Sequence, residues 1–134
     1  MKNVFLKTLL AVFLFVSCNK NELPDTFKIG FEEEFQHGEI NLTNDNSLNF
    51  SIIEINDSRC PSDVTCIWEG KVDVKIEIKS PQKGNIILST HNNRIDTFDV
   101  YSFELIDVSP YPITTETIEL KDYKVTLKIE EIQF

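Results

Sequence analysis

The sequence predicts an all-β fold, an antiparallel β-sandwich of about seven strands, Ig-like in architecture, with a half-open barrel as the competing way to close the same strands. Composition points there first. From residue 18 onward the chain has no alanine and no methionine, while Ile, Val and Thr supply 31 of 117 residues, so helix is disfavoured and strand favoured. Two-residue hydrophobic alternation points the same way, and turn-forming clusters recur at the spacing that sandwiches use.

The clearest strand covers 71–79. Val72, Val74, Ile76 and Ile78 share one face, while Lys71, Asp73, Lys75, Glu77 and Lys79 interleave opposite charges on the other. A second strand covers 121–134, with Tyr123, Val125, Leu127 and Ile129 in phase; Glu130-Glu131 then shifts the phase, and a bulge there turns Ile132 and Phe134 inward. Less regular runs at 26–35, 39–43, 48–56, 85–90 and 95–108 supply the remaining strands. Asn44-Asp45-Asn46, residues 81–84, His91-Asn92-Asn93 and Pro110-Tyr111-Pro112 read as turns. Changes of phase between Ile52 and Ile53, and twice within 98–108, mark places where strands bend from one sheet toward the other.

Ahead of this single domain, assigned to 26–134, lies a different kind of segment. Residues 1–7 carry Lys2 and Lys7 and no acid, residues 9–16 are eight unbroken apolar side chains, and Ser17 precedes Cys18. That is the layout of a secretory signal peptide over 1–17. The apolar run is too short to span a bilayer, which takes about 20 residues. Phe15-Val16-Ser17-Cys18 resembles a lipobox, at which a peptidase cleaves before a cysteine already carrying diacylglycerol. Phe15 stands where Leu is usual and Val16 where a small residue is usual, a relaxed form found in some Gram-negative groups. The resemblance implies that Cys18 becomes the first residue and bears two or three fatty-acyl chains such as palmitate. At about 0.8 kcal/mol per buried methylene, these hold the protein at the membrane essentially permanently. Residues 18–25 then form a polar tether, and Asn19 and Lys20 lack the Asp that favours inner-membrane retention, so the expected address is the outer membrane, on its periplasmic face or at the cell surface.

The formal charge is −9, and −11 once Lys2 and Lys7 leave with the signal peptide. An electrostatic nucleic-acid binder is excluded on that balance. Beyond the membrane anchor at Cys18, a basic protein, a cation or a neutral glycan suits such a surface better than anionic headgroups do. Three cysteines are an odd number for an exported protein. Assigning Cys18 to lipid leaves Cys60 and Cys66 as a disulfide, oxidised outside the cytoplasm.

Residues 57–70 join two confident strands and hold both of those cysteines, the only tryptophan and one of two arginines. Extending the phase of the following strand backward puts Cys66, Trp68 and Gly70 on the inward face, with the indole packed near the disulfide and Gly70 either leaving room beside the ring or permitting a bulge. A bridge closing so short a loop stabilises the fold by roughly 2 kcal/mol. Arg59 offers a planar fork for Asp57, Asp63 or Glu69. Two readings of the cluster stand: a folding clasp, or a binding loop in which Asp57, Arg59, Ser62, Asp63, Trp68 and Glu69 present preorganised groups. The Asp-Ser-Arg-Cys-Pro-x4-Cys-x-Trp-x-Gly pattern resembles a recurring group of small bacterial envelope lipoproteins of unassigned function. The likeness runs from about Gly38 to the C-terminus and takes in Pro110-Tyr111-Pro112 and the Tyr123 strand. It implies an address and brings no chemistry with it.

Enzyme signatures are missing: there is no G-x-S-x-G, H-E-x-x-H, C-x-x-C or Gly-rich phosphate loop. Zinc at Cys60 and Cys66 needs further ligands, and His37 and His91 are remote in sequence and sit in turn-like surroundings. Asn44-Asp45-Asn46-Ser47 supplies hard oxygens but lacks the length and final Glu of a calcium loop, so it reads as a hairpin tip. No catalytic residue, metal or cofactor is expected. The expectation is a non-enzymatic binding or accessory module of the cell envelope, partnered by the membrane and by another envelope protein or a glycan. Two other classes compete with it: an inhibitor of envelope hydrolases that presents the Cys60 to Cys66 loop, and a hydrolase working through converging carboxylates.

Overall fold

The alternating apolar residues become the inner faces of two stacked sheets in the computed structural model, which describes residues 24–134. The expected signal peptide over 1–17, Cys18 and most of the expected tether lie outside the described residues. Nine strands follow in order: β1 (Asp25–Phe27), β2 (Glu32–Gln36), β3 (Asn41–Thr43), β4 (Asn49–Asp57), β5 (Val72–Ser80), β6 (Gly84–Ser89), β7 (Ile95–Phe98), β8 (Tyr101–Ser109) and β9 (Lys124–Glu131). One sheet runs β1-β3-β4-β5-β6 and the other β2-β9-β8-β7. Every strand pairing is antiparallel except β1 with β3. The protein is a β-sandwich of these two sheets, with a single bridge from His37, just past β2, to Ile52 of β4 joining them at one edge.

Seven runs become nine strands because two of them break at residues with left-handed backbone. Gly30, at φ +91, turns the 26–35 run out of the first sheet, where β1 lies, and into the second as β2. Asp99, at φ 55, folds the 95–108 run into the β7–β8 hairpin. The phase changes become bulges. One falls between Ile52 and Glu54, exposing Ile53 before Ile55 returns to the core, and another falls between Leu105 and Asp107. Neither strand leaves its sheet.

One expectation fails at the C-terminus. β9 stays in register with β8 through Glu130 and Glu131 and then ends, so no bulge turns Phe134 inward; Phe134 is fully exposed. The Ile132 amide still donates to Val100 O at 2.7 Å.

Between the sheets, Val72, Val74, Ile76 and Ile78 of β5 face Phe103, Leu105 and Val108 of β8 and Val125, Leu127 and Ile129 of β9. Phe27, Phe35, Phe50 and Phe103 meet edge to face with ring centroids 5.1 to 5.8 Å apart. This geometry is what the ring quadrupole favours. The Asn44-Asp45-Asn46 turn caps the β3–β4 hairpin: Asn46 takes φ 59, and Asp45 accepts bonds from the Ser47 amide and hydroxyl. Hydrogen bonds from Thr43 and then from Ser47 hold the Asp45 carboxyl down at about 2.

Candidate functional site

β4 ends at Asp57 and β5 begins at Val72, so the cysteine cluster is the loop leaving one end of the five-stranded sheet. Asp57 and Arg59 are two residues apart on extended chain, and their side chains turn to the same side. Asp57 Oδ1 accepts from the Arg59 backbone amide at 3.1 Å and from Nε at 2.9 Å, while Oδ2 accepts from Nη2 at 2.6 Å. The guanidinium also donates to Val108 O at 2.7 Å and Pro110 O at 3.0 Å, and it lies 4.5 Å above the centroid of the Tyr111 ring. Tyr123, just ahead of β9, donates its hydroxyl to Asp57 Oδ2 at 3.0 Å. The pair therefore ties β4 of one sheet to β8 and the start of β9 in the other.

Its side chains are only 5% (Asp57) and 7% (Arg59) exposed. Burial alone raises a carboxyl pKa, but the hydrogen bonds and charge of Arg59, with the Tyr123 hydroxyl, outweigh it and hold Asp57 below its ordinary value. Burial likewise works against the charge on Arg59, and Asp57 overcomes it. Tyr123 is pushed up to about 12, by burial first and then by the Asp57 carboxylate it donates to.

Above this base the two arms of the loop are laced together. Ser58 N donates to Lys71 O and Cys60 N to Glu69 O, both at 2.8 Å, and the Cys60–Cys66 disulfide closes the turn with its Cα atoms 5.9 Å apart. One arm is also fastened sideways to the segment after β8. Ser62 N donates to Pro112 O at 2.9 Å, and Asp63 accepts from the Thr114 amide and hydroxyl, which lowers the Asp63 carboxyl.

Two expectations are corrected here. Trp68 does not pack on the disulfide; it is 82% exposed and its neighbour Ile67 95% exposed. Nor does Gly70 make room for the indole. It adopts φ +71, and a Cβ there would sit 1.9 Å from Ser58 O, so the glycine exists to let the two arms of the loop approach. The left-handed residue also ends the alternation, which is why the phase of β5 does not extend back to Trp68. Of the three acids offered to Arg59, Asp57 takes it, Asp63 serves Thr114, and Glu69 contributes its backbone carbonyl to the lacing.

The six candidate binding residues thus divide. Asp57, Arg59 and Asp63 are engaged inside the molecule, while Ser62, Trp68 and Glu69 are presented outward together with Val64 and Ile67. Sequence reasoning missed Tyr111, Thr114 and Tyr123 as partners of the loop, all of them reached over 51 to 66 residues of chain or against a ring face. The pairing of Pro110-Tyr111-Pro112 and Tyr123 with the loop in one resemblance was the signal available.

Beside the clasp is an open, polar cavity of about 250 Å³, lined by Arg59, Glu69 and Tyr111 on one side and by His91, Arg94 and Asp107 on the other. Arg94 holds the wall in shape, donating to the carbonyls of Thr90, Leu105 and Ile106. His37 is elsewhere, with Nε2 3.2 Å from Ile53 O. Among the described residues, no group of three or more His, Cys, Asp or Glu side chains could hold a metal ion. Nor is any helix among them long and apolar enough to cross a membrane. Compared with known protein families, with curated proteins and with solved structures, the chain finds no match.

Proposed function

We propose that the chain is a lipid-anchored lipoprotein of a Gram-negative envelope, held at the outer membrane by acylated Cys18 and acting as a non-enzymatic binding module. It belongs, on this reading, with the small envelope lipoproteins whose Asp-Ser-Arg-Cys-Pro-x4-Cys-x-Trp-x-Gly cluster it resembles, and its contact element is the tip of the 58–71 loop. The observation that carries the reading is the pairing of a locked base with an apolar tip. Asp57, Arg59 and the disulfide fix the loop, and Ile67 and Trp68 stand in solvent at its end. An exposed tryptophan beside an exposed isoleucine on a preordered loop can bury apolar surface on contact with little ordering cost. A disulfide stable in this position suits an oxidising compartment.

The inhibitor reading draws on the same loop but needs its polar side chains to face a target, and Arg59 and Asp63 already serve internal partners. A carboxylate hydrolase needs two free acids in a cleft, and Asp57, at the base of the loop, is buried and neutralised by Arg59.

Two measurements test the proposal. Intact mass of protein extracted from membranes is expected to show a chain beginning at acylated Cys18 and lacking two protons at Cys60 and Cys66; an unprocessed or unacylated chain contradicts the anchor. A photoreactive amino acid placed at Ile67 in cells is expected to give a discrete adduct with an envelope component, whereas the same probe at Lys83 gives none. Equal, diffuse labelling from both positions contradicts the contact element.

A further inference from the structure

We propose that what the loop tip touches is the bilayer itself: Ile67 and Trp68 insert into the interfacial layer of the membrane that carries Cys18, a second contact that fixes the orientation of the domain. This rests on the lipid-anchor reading above and names the partner of the same loop. Two independent observations carry it.

The first is direction and reach. β1 runs parallel to β3, and β3 antiparallel to β4, so the chain preceding Asp25 leaves the sheet toward the end from which the 58–71 loop emerges. Asp25 pairs with Asn41, which lies opposite Phe50, and Phe50 is seven residues before Asp57. Ile53 is bulged, so six rises of about 3.3 Å separate the two positions and the base of the loop stands about 20 Å beyond Asp25. The seven residues from Cys18 to Pro24 span at most about 25 Å. By contour length the tether is long enough for the acylated cysteine and the loop end of the sandwich to meet one membrane surface.

The second is the chemistry of the tip. Trp is the side chain most suited to the headgroup boundary, with an apolar body and a hydrogen-bonding edge, and Ile67 beside it is almost wholly exposed. Tyr111, half exposed, stands on the same clasp. Of the acids on the loop, Asp57 is buried and paired with Arg59, while Asp63, bonded to Thr114, and Glu69 remain as exposed carboxylates beside the tip. Two apolar side chains could not bring a free protein to a membrane, but anchorage converts their insertion into an intramolecular event at high effective concentration. The overall negative charge sets the lipid class, favouring zwitterionic over anionic headgroups.

Trp68 is the only tryptophan in the chain, so its emission reports the tip alone. The test uses the mature acylated protein, beginning at Cys18, reconstituted in phosphatidylcholine vesicles, with and without bromine on the upper acyl chain. Insertion predicts blue-shifted emission that the brominated lipid quenches, as expected for an indole held at the interface. Ile67→Asp is expected to restore water-like, unquenched emission while the protein still sediments with the vesicles. If the wild type sediments through its acyl chains but Trp68 stays water-exposed and unquenched, insertion is overturned and the anchor stands, leaving a protein or glycan as the occupant of the tip. If the protein does not sediment with vesicles at all, both the anchor and the insertion fall.

Discussion

The base and the tip of the loop that follows β4 are built on opposite principles within the twelve residues from Asp57 to Trp68. At the base, two charged side chains are almost fully buried and nearly every polar atom near them has a partner in the molecule: Asp57 with Arg59 and Tyr123, and Arg59 with two carbonyls of the facing sheet. At the tip, two of the most apolar side chains of the chain stand in water with no partner among the described residues. A buried charge pair is seldom the most stable way to fill a space, but it is demanding about geometry. The contrast shows a loop whose base sets position and whose tip is left free for contact, and each half can be broken without the other.

The largest expected effect comes from breaking the base. Arg59→Ala leaves the Asp57 carboxylate buried without its counter-ion and orphans Val108 O and Pro110 O, and should cost about 3 to 5 kcal/mol in urea unfolding. Wild-type stability should also carry the signature of this pair. Because the folded Asp57 pKa lies below its unfolded value, its contribution is complete above about pH 4 and is lost as pH falls through the lowered value. Asp57→Asn should flatten that acid limb.

Replacing Cys60 and Cys66 by Ser comes next, at about 2 kcal/mol, through the freedom returned to the unfolded chain. Tyr123→Phe removes one hydroxyl donor and should cost about 1 kcal/mol near neutrality. It should also remove a limb at high pH. The folded tyrosine titrates at about 12 against an ordinary 10.0, so its stabilising contribution is whole below pH 10.0 and declines as pH rises toward 12. The smallest effect on stability belongs to the tip. Trp68→Ser and Ile67→Ser should change unfolding free energy by no more than about 0.5 kcal/mol while abolishing the contact proposed for the tip. A large destabilisation by Trp68→Ser would return the indole to the role of a packing residue.

The regular parts of this architecture were legible because a sheet with one dry face writes itself as alternation. β5 is read almost residue for residue, and the bulge at Ile52 and Ile53 shows as a break in phase. What escaped depends on single backbone conformations. Gly30 and Asp99 divide runs that look continuous, and Gly70 stops the phase of β5 short of Trp68. Left-handed residues carry no hydrophobic signal, so periodicity passes through them unaltered. The site followed the same division. The disulfide and the Asp57 to Arg59 pairing are local and were among the options open from spacing. The fastening of the loop to Tyr111, Thr114 and Tyr123 is set by how two sheets stack, which no local pattern records.

Amide hydrogen exchange of the sandwich domain in solution tests most directly whether the base is locked and the tip free. Slow exchange is expected at Cys60, Ser62 and Thr114, whose amides donate to Glu69 O, Pro112 O and Asp63, and fast exchange at Ile67 and Trp68. Uniformly fast exchange from 58 to 71, or protection at Ile67 and Trp68 equal to that at Cys60, would contradict it.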